Sequence, residues 1–438
     1  MTTGFYYRIK KTAIMKKLLI IIFLIISFSA GAQVNFDDYF TDRTLRFDFM
    51  LAGDHETIKA YPLGMKEEPF YGGSLVNLVD PFHYGNLRYE IYDLESGELI
   101  YSRGYGSLFQ EWQTTAEAKQ MQRSFYEVAT FPFPKEDISF VLKKFMKDGS
   151  LQKVYQTVID PDDYFILREP VRKVDYKRIS GTADHHQAVD IAFIAEGYTE
   201  EESGKFYDDV RRLAGILFDY KPFSDYRDKI NIWAVDAISE ESGTDIPGDN
   251  IYRKTALNSS YYTFDLARYL TTFDIKSVRD YAAVVPYDNI VVLINSSKYG
   301  GGGMYNYYSG TTSDHALTPQ VFTHEFGHGF AGLGDEYYSS DVAYEEFYPL
   351  DTEPWEANIT TLVNFDSKWK EMIDPETPVP TPATEEYRDT VGLFEGGGYS
   401  AKGIFRPQLN CRMKSNEADA FCKVCQQAIR EMIEYYIR

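Results

Sequence analysis

Alternating apolar and polar residues dominate the first third of the chain. Leu45, Phe47, Phe49 and Leu51 occupy every second position, which is the period of a strand with one buried face. Two further pairs of β-type runs flank turn residues and predict hairpins, at 88–92 with 98–102 and at 138–146 with 151–159. Repeated hairpins without long helices are typical of a β-sandwich, and we predict one for residues 33–175.

A different pattern follows the polar segment 171–187, which we predict to be a linker. Apolar runs of strand length at 189–195, 230–235 and 290–295 alternate with helical apolar spacing over 200–220. Such alternation is typical of a layered α/β domain, predicted here for residues 188–438. The expected fold class is therefore a multidomain α+β protein, with a β-sandwich before an α/β domain.

The N-terminus has the features of a signal peptide over residues 1–32. Lys16 and Lys17 precede an apolar run at 18–26, and small residues at 30–32 form a cleavage site before Gln33. An uncleaved N-terminal anchor is the alternative, but the run is short for a membrane span. We expect a protein that is secreted, periplasmic or at the cell surface, without stable membrane insertion after cleavage.

Charge and cysteine content narrow the possible partners. The formal net charge is −21, and loss of the five positive residues within positions 1–32 brings the mature chain to about −26. This charge argues against a nucleic-acid partner, because neutralisation of phosphates needs basic patches. The three cysteines, Cys411, Cys422 and Cys425, leave their pairing open. A three-cysteine zinc site is a competing interpretation that lacks an obvious fourth ligand nearby.

A short motif in the second half of the chain carries the candidate chemistry. His324 and His328 are four residues apart, so on a helix both imidazoles lie on one face and reach one metal ion. Thr318 is a candidate N-cap, Pro319 suits the first helical turn, and Gly332 can end the helix. The motif therefore predicts a zinc-binding helix.

Glu325, which follows the first histidine, is the predicted general base. In this motif the carboxylate lies beside the metal, takes a proton from the zinc-activated water and later gives it to the leaving amine. A catalytic zinc site needs three protein ligands and an open position. Asp335 is the predicted third ligand, with Glu336 as its rival. In metzincins a glycine ends the helix and the ligand lies three residues later, as Asp335 does after Gly332, although one extra residue separates His328 from the glycine.

Segments on both sides of the histidine motif contain further candidate residues of the active site. Met413 lies in a segment that resembles the Met-turn of metzincins, before a predicted last helix at 420–436, and a disulfide from Cys411 could hold that turn to the helix. Tyr399 or Tyr337 is the candidate hydrogen-bond donor to the tetrahedral oxyanion, and we select Tyr399 as a catalytic residue. The glycines at 300–303 are either part of an edge strand that binds substrate or a flexible turn.

Several segments, in their order along the chain, resemble those of one family, the secreted bacterial IgA-peptidase family of zinc metallopeptidases, placed among the metzincins. The resemblance spans about residues 188–438 and rests on the segments 194–199, 239–247, 299–303, 324–337 and 393–413. It implies a metzincin-like zinc endopeptidase with ligands at His324 and His328 and the catalytic glutamate at Glu325. The residues before 188 resemble the N-terminal domain of that family. The resemblance does not imply IgA as the substrate.

The predicted function is that of a secreted zinc endopeptidase that hydrolyses extracellular proteins or peptides. One alternative is a catalytically silent adhesion or glycan-binding protein with a peptidase-like domain. The intact Glu325 argues against it, because a structural zinc site has no use for that carboxylate. The other alternative is a zinc amidase that acts on cell-wall peptide.

Overall fold

The structure is a computed structural model that describes residues 33–146, 148–338 and 347–438. The predicted signal peptide, 1–32, lies outside the described residues. The first half of the described chain is rich in strands, as its alternating pattern predicts. Its elements are α1 (Phe36–Tyr39), β1 (Phe40–Gly53), β2 (Ile58–Glu68), β3 (Leu87–Asp93), β4 (Leu99–Tyr105), α2 (Leu108–Trp112), β5 (Arg123–Pro134), β6 (Ile138–Phe145), β7 (Leu151–Ile159) and β8 (Ile166–Leu167).

These strands form two four-stranded sheets. One has the order β5-β1-β2-β8, in which β8 runs parallel to β2, and the other has the antiparallel order β4-β3-β6-β7. Both predicted hairpins are confirmed, and the four alternating residues at 45, 47, 49 and 51 are all buried. Aromatic rings join the sheets, with the ring centroid of Phe47 4.8 Å from that of Phe140.

A six-stranded sheet organises the second half. Its strands are β9 (Tyr176–Ser180), β10 (Val189–Glu196), β11 (Ile230–Val235), β12 (Asn289–Ile294), β13 (Gly301–Met304) and β14 (Tyr308–Thr312), in the order β13-β14-β12-β10-β11-β9. The four central strands are parallel, and the two edge strands are antiparallel to their neighbours. The prediction of a linker at 171–187 is therefore wrong in part, because β9 pairs with β11 in this segment.

Helices pack on the six-stranded sheet, and a hairpin completes the chain. The remaining elements are α3 (Ser203–Asp219), α4 (Ile275–Ala282), α5 (Thr318–Ala331), β15 (Phe394–Gly397), β16 (Ser400–Arg406) and α6 (Lys423–Ile437). The central strands β10 and β12 are almost wholly buried, as continuous apolar runs predict. No helix among the described residues is long and apolar enough to cross a membrane.

A buried ion cluster joins the strand-rich half to α4. Arg46 of β1 donates from Nη1 to Asp280 Oδ1 at 2.7 Å and from Nε to Asp48 Oδ1 at 2.7 Å. Lys66 Nζ lies 3.3 Å from the same Asp280 oxygen. Burial alone would raise the pKa of Asp280, but the hydrogen bond from Lys276 and the charge of Arg46 lower it to about 2.

The chain from Phe36 to Arg438 forms one compact unit. The mixed α and β composition with several sheets agrees with the predicted fold class. The division into domains at 33–175 and 188–438 stays a prediction.

Candidate active site

Helix α5 carries the two histidines of the motif on one face. The helix has Pro319 in its first turn and ends at Gly332, which adopts the left-handed conformation with φ 59° that favours glycine. The prediction that Thr318 is the N-cap is wrong, because Leu317 occupies that position and Thr318 is already helical. The four-residue spacing brings the Nε2 atoms of residues 324 and 328 to within 3.0 Å of each other.

Asp335 lies opposite the histidines. Its Oδ1 atom is 3.0 Å from His324 Nε2 and 3.3 Å from His328 Nε2, so the three atoms form a nearly equilateral triangle. Tetrahedral zinc with bonds of about 2.0–2.1 Å requires ligand atoms about 3.3 Å apart. Asp335 is buried, and no hydrogen bond from the described residues satisfies Oδ1. The residues therefore fit a zinc ion in both donor type and spacing.

Main-chain carbonyl groups orient the two imidazoles. His324 Nδ1 lies 3.1 Å from the carbonyl oxygen of Arg412, and His328 Nδ1 lies 2.5 Å from that of Leu333. If each Nδ1–H donates to its carbonyl, each Nε2 keeps a lone pair for a cation. The ring of Tyr337 also stacks on His324, with centroids 6.3 Å apart. The rings are thus held in place by groups outside the triangle.

Tyr399 supports Asp335 from the other side. Its hydroxyl donates to Asp335 Oδ2 at 2.5 Å, so the second carboxylate oxygen is fixed while Oδ1 faces the histidines. Backbone hydrogen bonds hold the two segments together, since Gly398 N donates to Asp335 O at 2.8 Å and Tyr399 N donates to Tyr337 O at 3.0 Å. In this structure the hydroxyl of the predicted oxyanion donor contacts Asp335.

Glu325 lies on α5, next to strand β13. A Cβ atom on Gly301 would be 3.0 Å from Glu325 Cγ, and one on Gly303 would be 2.2 Å from the Glu325 carbonyl oxygen. Helix and strand therefore approach so closely that a side chain at Gly303 would collide with the helix backbone. The two glycines belong to the edge strand of the six-stranded sheet, so the glycine run is not merely a flexible turn.

Electrostatics in the site depend on burial and on the proximity of acids and imidazoles. Burial raises the pKa of Glu325, against the opposing charges of His324 and His328. Burial would lower the pKa of His328, but the neighbouring Asp335 carboxylate raises it to about 9. Asp335 is buried as well, yet the two imidazoles hold its pKa well below the usual range. The Asp335 carboxylate and the His328 imidazole thus stabilise each other's charged forms.

Met413 is fully buried close to α5. A Cβ atom on Gly327 would be 2.8 Å from Met413 Sδ, so the helix glycine leaves space for the thioether. The neighbouring residue Arg412 provides the carbonyl group that His324 contacts. The predicted turn therefore lies against the helix that carries the histidines.

Glu336, the rival for the third ligand, faces a different group of residues. Its Oε1 atom lies 3.2 Å from Cys425 Sγ and 3.8 Å from Cys422 Sγ. The side chain is fully buried there. In this geometry Asp335 points to the histidines and Glu336 points to the cysteines.

A cavity of about 400 Å³ opens over the triangle. The backbone of β13 forms part of its wall together with residues that carry no recognisable sequence motif, among them Arg268, Tyr269, Trp355 and Glu356. Arg268 is close enough for its positive charge to oppose the effect of burial on Glu325. Burial raises the pKa of Glu356 to about 7. Sequence reasoning missed these residues because distant loops bring them to the cavity.

Comparison with known proteins identifies the family. Residues 178–390 and 383–433 match the family model described as IgA Peptidase M64, and residues 35–156 match the model described as Peptidase M64 N-terminus. No curated protein matches the chain. A solved polysaccharide deacetylase from Bacillus cereus is 8% identical to this chain, over 62% of this chain and 96% of the deacetylase, with a TM-score of 0.11. The chain belongs to the M64 family of IgA peptidases, and it is a peptidase by that membership.

Proposed function

We propose that the chain is an exported, zinc-dependent endopeptidase that hydrolyses peptide bonds of extracellular proteins. The observation that carries the proposal is the triangle of His324 Nε2, His328 Nε2 and Asp335 Oδ1, with sides of 3.0–3.3 Å. Two imidazoles and one carboxylate are the donor set of many catalytic zinc sites, in which the fourth position is left open. Membership of a metallopeptidase family supports the same assignment.

Each residue of the site has a distinct role in the proposed reaction. When bound, zinc supplies Lewis acidity, which polarises the scissile carbonyl and makes a water molecule acidic near neutral pH. His324, His328 and Asp335 hold the ion. Glu325 takes the proton of the attacking water on its carboxylate and delivers it to the nitrogen of the leaving amine. Tyr399 keeps the Asp335 carboxylate in the orientation that the ion requires.

The position of β13 supports a peptide substrate. This strand is an edge of the six-stranded sheet, and its glycines line the cavity above Glu325. An extended peptide can add to such an edge through main-chain hydrogen bonds, and glycines leave that backbone accessible. A substrate in this position would lie across the proposed zinc site. The family name does not extend to the choice of substrate, so IgA is not part of the proposal.

The proposal includes a metzincin-like arrangement of the catalytic residues and a β-sandwich in the N-terminal half. A metzincin-like arrangement is supported by the order along the chain of the histidine helix, the turn at Gly332, the ligand Asp335 and the buried Met413. A β-sandwich in the N-terminal half is supported by the ring contacts between its two four-stranded sheets. Export rests on the N-terminal sequence pattern alone.

Cleavage of an unbiased peptide library tests the function. Residues 33–438 are incubated with the library, and the products are identified by mass spectrometry. We expect cuts that disappear on chelation and return with zinc. Glu325→Gln removes the base but no proposed ligand, so hydrolysis should be lost while zinc stays bound. Glu201→Gln, at an exposed position outside the site, is the matched control and should cleave like the wild type.

The outcomes separate the candidate functions. Retained turnover in Glu325→Gln would refute the assigned mechanism. Bound zinc without cleavage of any peptide or protein would favour a catalytically silent binding protein. Release of amide fragments from cell-wall peptide, without cuts in the library, would favour the zinc amidase.

A further inference from the structure

Three cysteines and one glutamate form a second cluster of potential metal ligands. Cys411, Cys422, Cys425 and Glu336 are all buried, and their ligand atoms all lie within 4.8 Å of one another. The cysteines come from the turn that contains Met413 and from the N-terminus of α6, whereas the glutamate follows α5. None of these four residues belongs to the histidine triangle. The proposed endopeptidase reaction therefore leaves them without a role.

The spacing of the ligand atoms matches a tetrahedral zinc ion. With Zn–S bonds of about 2.3 Å, two sulfur ligands of a tetrahedron lie about 3.8 Å apart. Cys411 Sγ and Cys425 Sγ are 3.7 Å apart. A sulfur and an oxygen ligand of the same ion lie about 3.5 Å apart. Glu336 Oε1 is 3.2 Å from Cys425 Sγ and 3.8 Å from Cys422 Sγ.

A disulfide explains the same residues less well. A bonded pair of sulfur atoms is about 2.05 Å apart, and the 3.7 Å between Cys411 and Cys425 is far longer. A disulfide between any two of the cysteines would also leave the third thiol within 4.8 Å of the buried carboxylate of Glu336. Four ligands of one ion account for all of these side chains at once.

The environment of Glu336 points to a cation. The side chain is fully buried, and its Oε2 atom accepts no hydrogen bond from the residues that the structure describes. An ionised carboxylate is costly in such a buried position unless a partner compensates its charge. Asn358 Nδ2 donates to Oε1 at 2.9 Å and so fixes the oxygen that faces the sulfurs. Such outer contacts are typical of metal-bound carboxylates.

Main-chain N–H groups face the sulfur atoms. Cys422 N donates to Cys411 Sγ at 3.2 Å, and Cys425 N donates to Cys422 Sγ at 3.4 Å. Hydrogen bonds of this kind stabilise thiolate, the form of cysteine that binds metals.

We propose that Cys411, Cys422, Cys425 and Glu336 bind a second, structural zinc ion. Three thiolates select zinc over harder divalent cations, and four protein ligands close the site to water. The ion joins the segment after α5, the turn at 411–413 and the start of α6. Glu336 follows the proposed catalytic ligand Asp335 directly, and Glu336 N donates to Met413 O at 2.9 Å. The second ion thus fixes the chain that positions the first.

Metal analysis of the mature chain, residues 33–438, tests the proposal. The wild type should contain two zinc ions per chain by elemental mass spectrometry. The double variant His324→Ala/His328→Ala should keep one ion, and X-ray absorption of that variant should show Zn–S distances of about 2.3 Å. Cobalt in place of zinc should give the intense thiolate-to-metal charge-transfer band, which the histidine triangle cannot produce. A double-histidine variant that folds but contains no zinc would overturn the proposal.

Two neighbouring carboxylates provide a matched pair of variants. Asp335→Ala should lose the ion of the histidine site and retain the sulfur-bound cobalt band, whereas Glu336→Ala should weaken or abolish that band. If Glu336→Ala fails to fold, the native chain still decides the question by peptide mapping without reductant. A disulfide between any two of the three cysteines would refute the zinc site. Failure of this proposal leaves the Glu325→Gln experiment unaffected, so the two can be told apart.

Discussion

Tyr399→Phe separates two roles for the tyrosine that contacts the proposed third ligand. The hydroxyl of Tyr399 donates to Asp335 Oδ2 at 2.5 Å, whereas Oδ1 of the same carboxylate faces the two histidines. The substitution removes only the hydroxyl and leaves the ring in place. If the hydroxyl positions the ligand, zinc binding should suffer. If it stabilises the tetrahedral oxyanion, as the sequence predicts, the chemical step should suffer instead.

The size of each effect follows from the contact that is lost. A hydrogen bond to a charged group contributes about 1.5–3 kcal/mol, and loss of such an outer contact typically weakens metal binding about 10–100-fold. We therefore expect zinc affinity to fall within that range in Tyr399→Phe. At saturating zinc kcat should fall less than about tenfold, because loss of an oxyanion donor costs about 100–1,000-fold in kcat and the contact seen here is to Asp335.

Chelator competition, with hydrolysis as the readout, measures the zinc affinity of the histidine triangle. Only the ion in the histidine triangle is needed for hydrolysis in the proposed mechanism, so the free zinc concentration at half-maximal activity reports on that site. Tyr164→Phe is a matched control, since Tyr164 is 83% exposed and does not line the cavity. An unchanged zinc affinity together with a 100-fold lower kcat at saturating zinc would refute the positioning role of Tyr399.

Two other substitutions test the packing that supports the site. Gly303→Ala places a Cβ 2.2 Å from Glu325 O, so β13 must shift and kcat/KM should fall by about 100-fold, with Gly215→Ala, whose Cβ meets nothing within 4 Å, as the control. Normal activity in Gly303→Ala would contradict this close approach. Asp280→Ala removes the closer partner of buried Arg46 Nη1, at 2.7 Å, and leaves only Glu68 Oε1 at 3.5 Å. The substitution should lower the free energy of unfolding, measured with urea at pH 7, by about 3–5 kcal/mol. Because the pKa of Asp280 is lowered from 3.8 to about 2, the stabilisation by its carboxylate is complete above about pH 4 and disappears as the pH falls through 2. The effect of the substitution on the free energy of unfolding should therefore be smaller near pH 2 than at pH 7, and an equal effect at these two pH values would contradict the reasoning.

The elements that the sequence predicts well are those with a strong local pattern. The strand at Ile230–Val235 has the predicted bounds, and β10, β12 and α6 differ from prediction by a few residues at most. Strand β9 escaped prediction because its residues are exposed or half-exposed, and only its pairing with β11 makes it a strand. A polar edge strand has no alternating pattern, so its sequence resembles a loop.

The residues of the candidate site also differ in how well the sequence predicts them. His324, Glu325 and His328 form a local motif, and their common helix follows from spacing alone. Arg268 and Trp355 reach the cavity from loops remote in sequence, and no pattern along the chain could relate them to the histidines. Glu336 likewise joins the cysteines only through the tertiary fold, which is why the sequence offered no fourth ligand.

The adjacent acids Asp335 and Glu336 need not compete for one metal ion. The main chain around them bonds to two different segments, since Asp335 O accepts from Gly398 N whereas Glu336 N donates to Met413 O. Their side chains reach different groups, since the carboxylate of Asp335 contacts the histidines and that of Glu336 contacts the cysteines. If each carboxylate binds its own ion, the pair is a bridge of two residues between a catalytic and a structural site. Strain at the structural site would then be transmitted to the catalytic one through a single peptide bond.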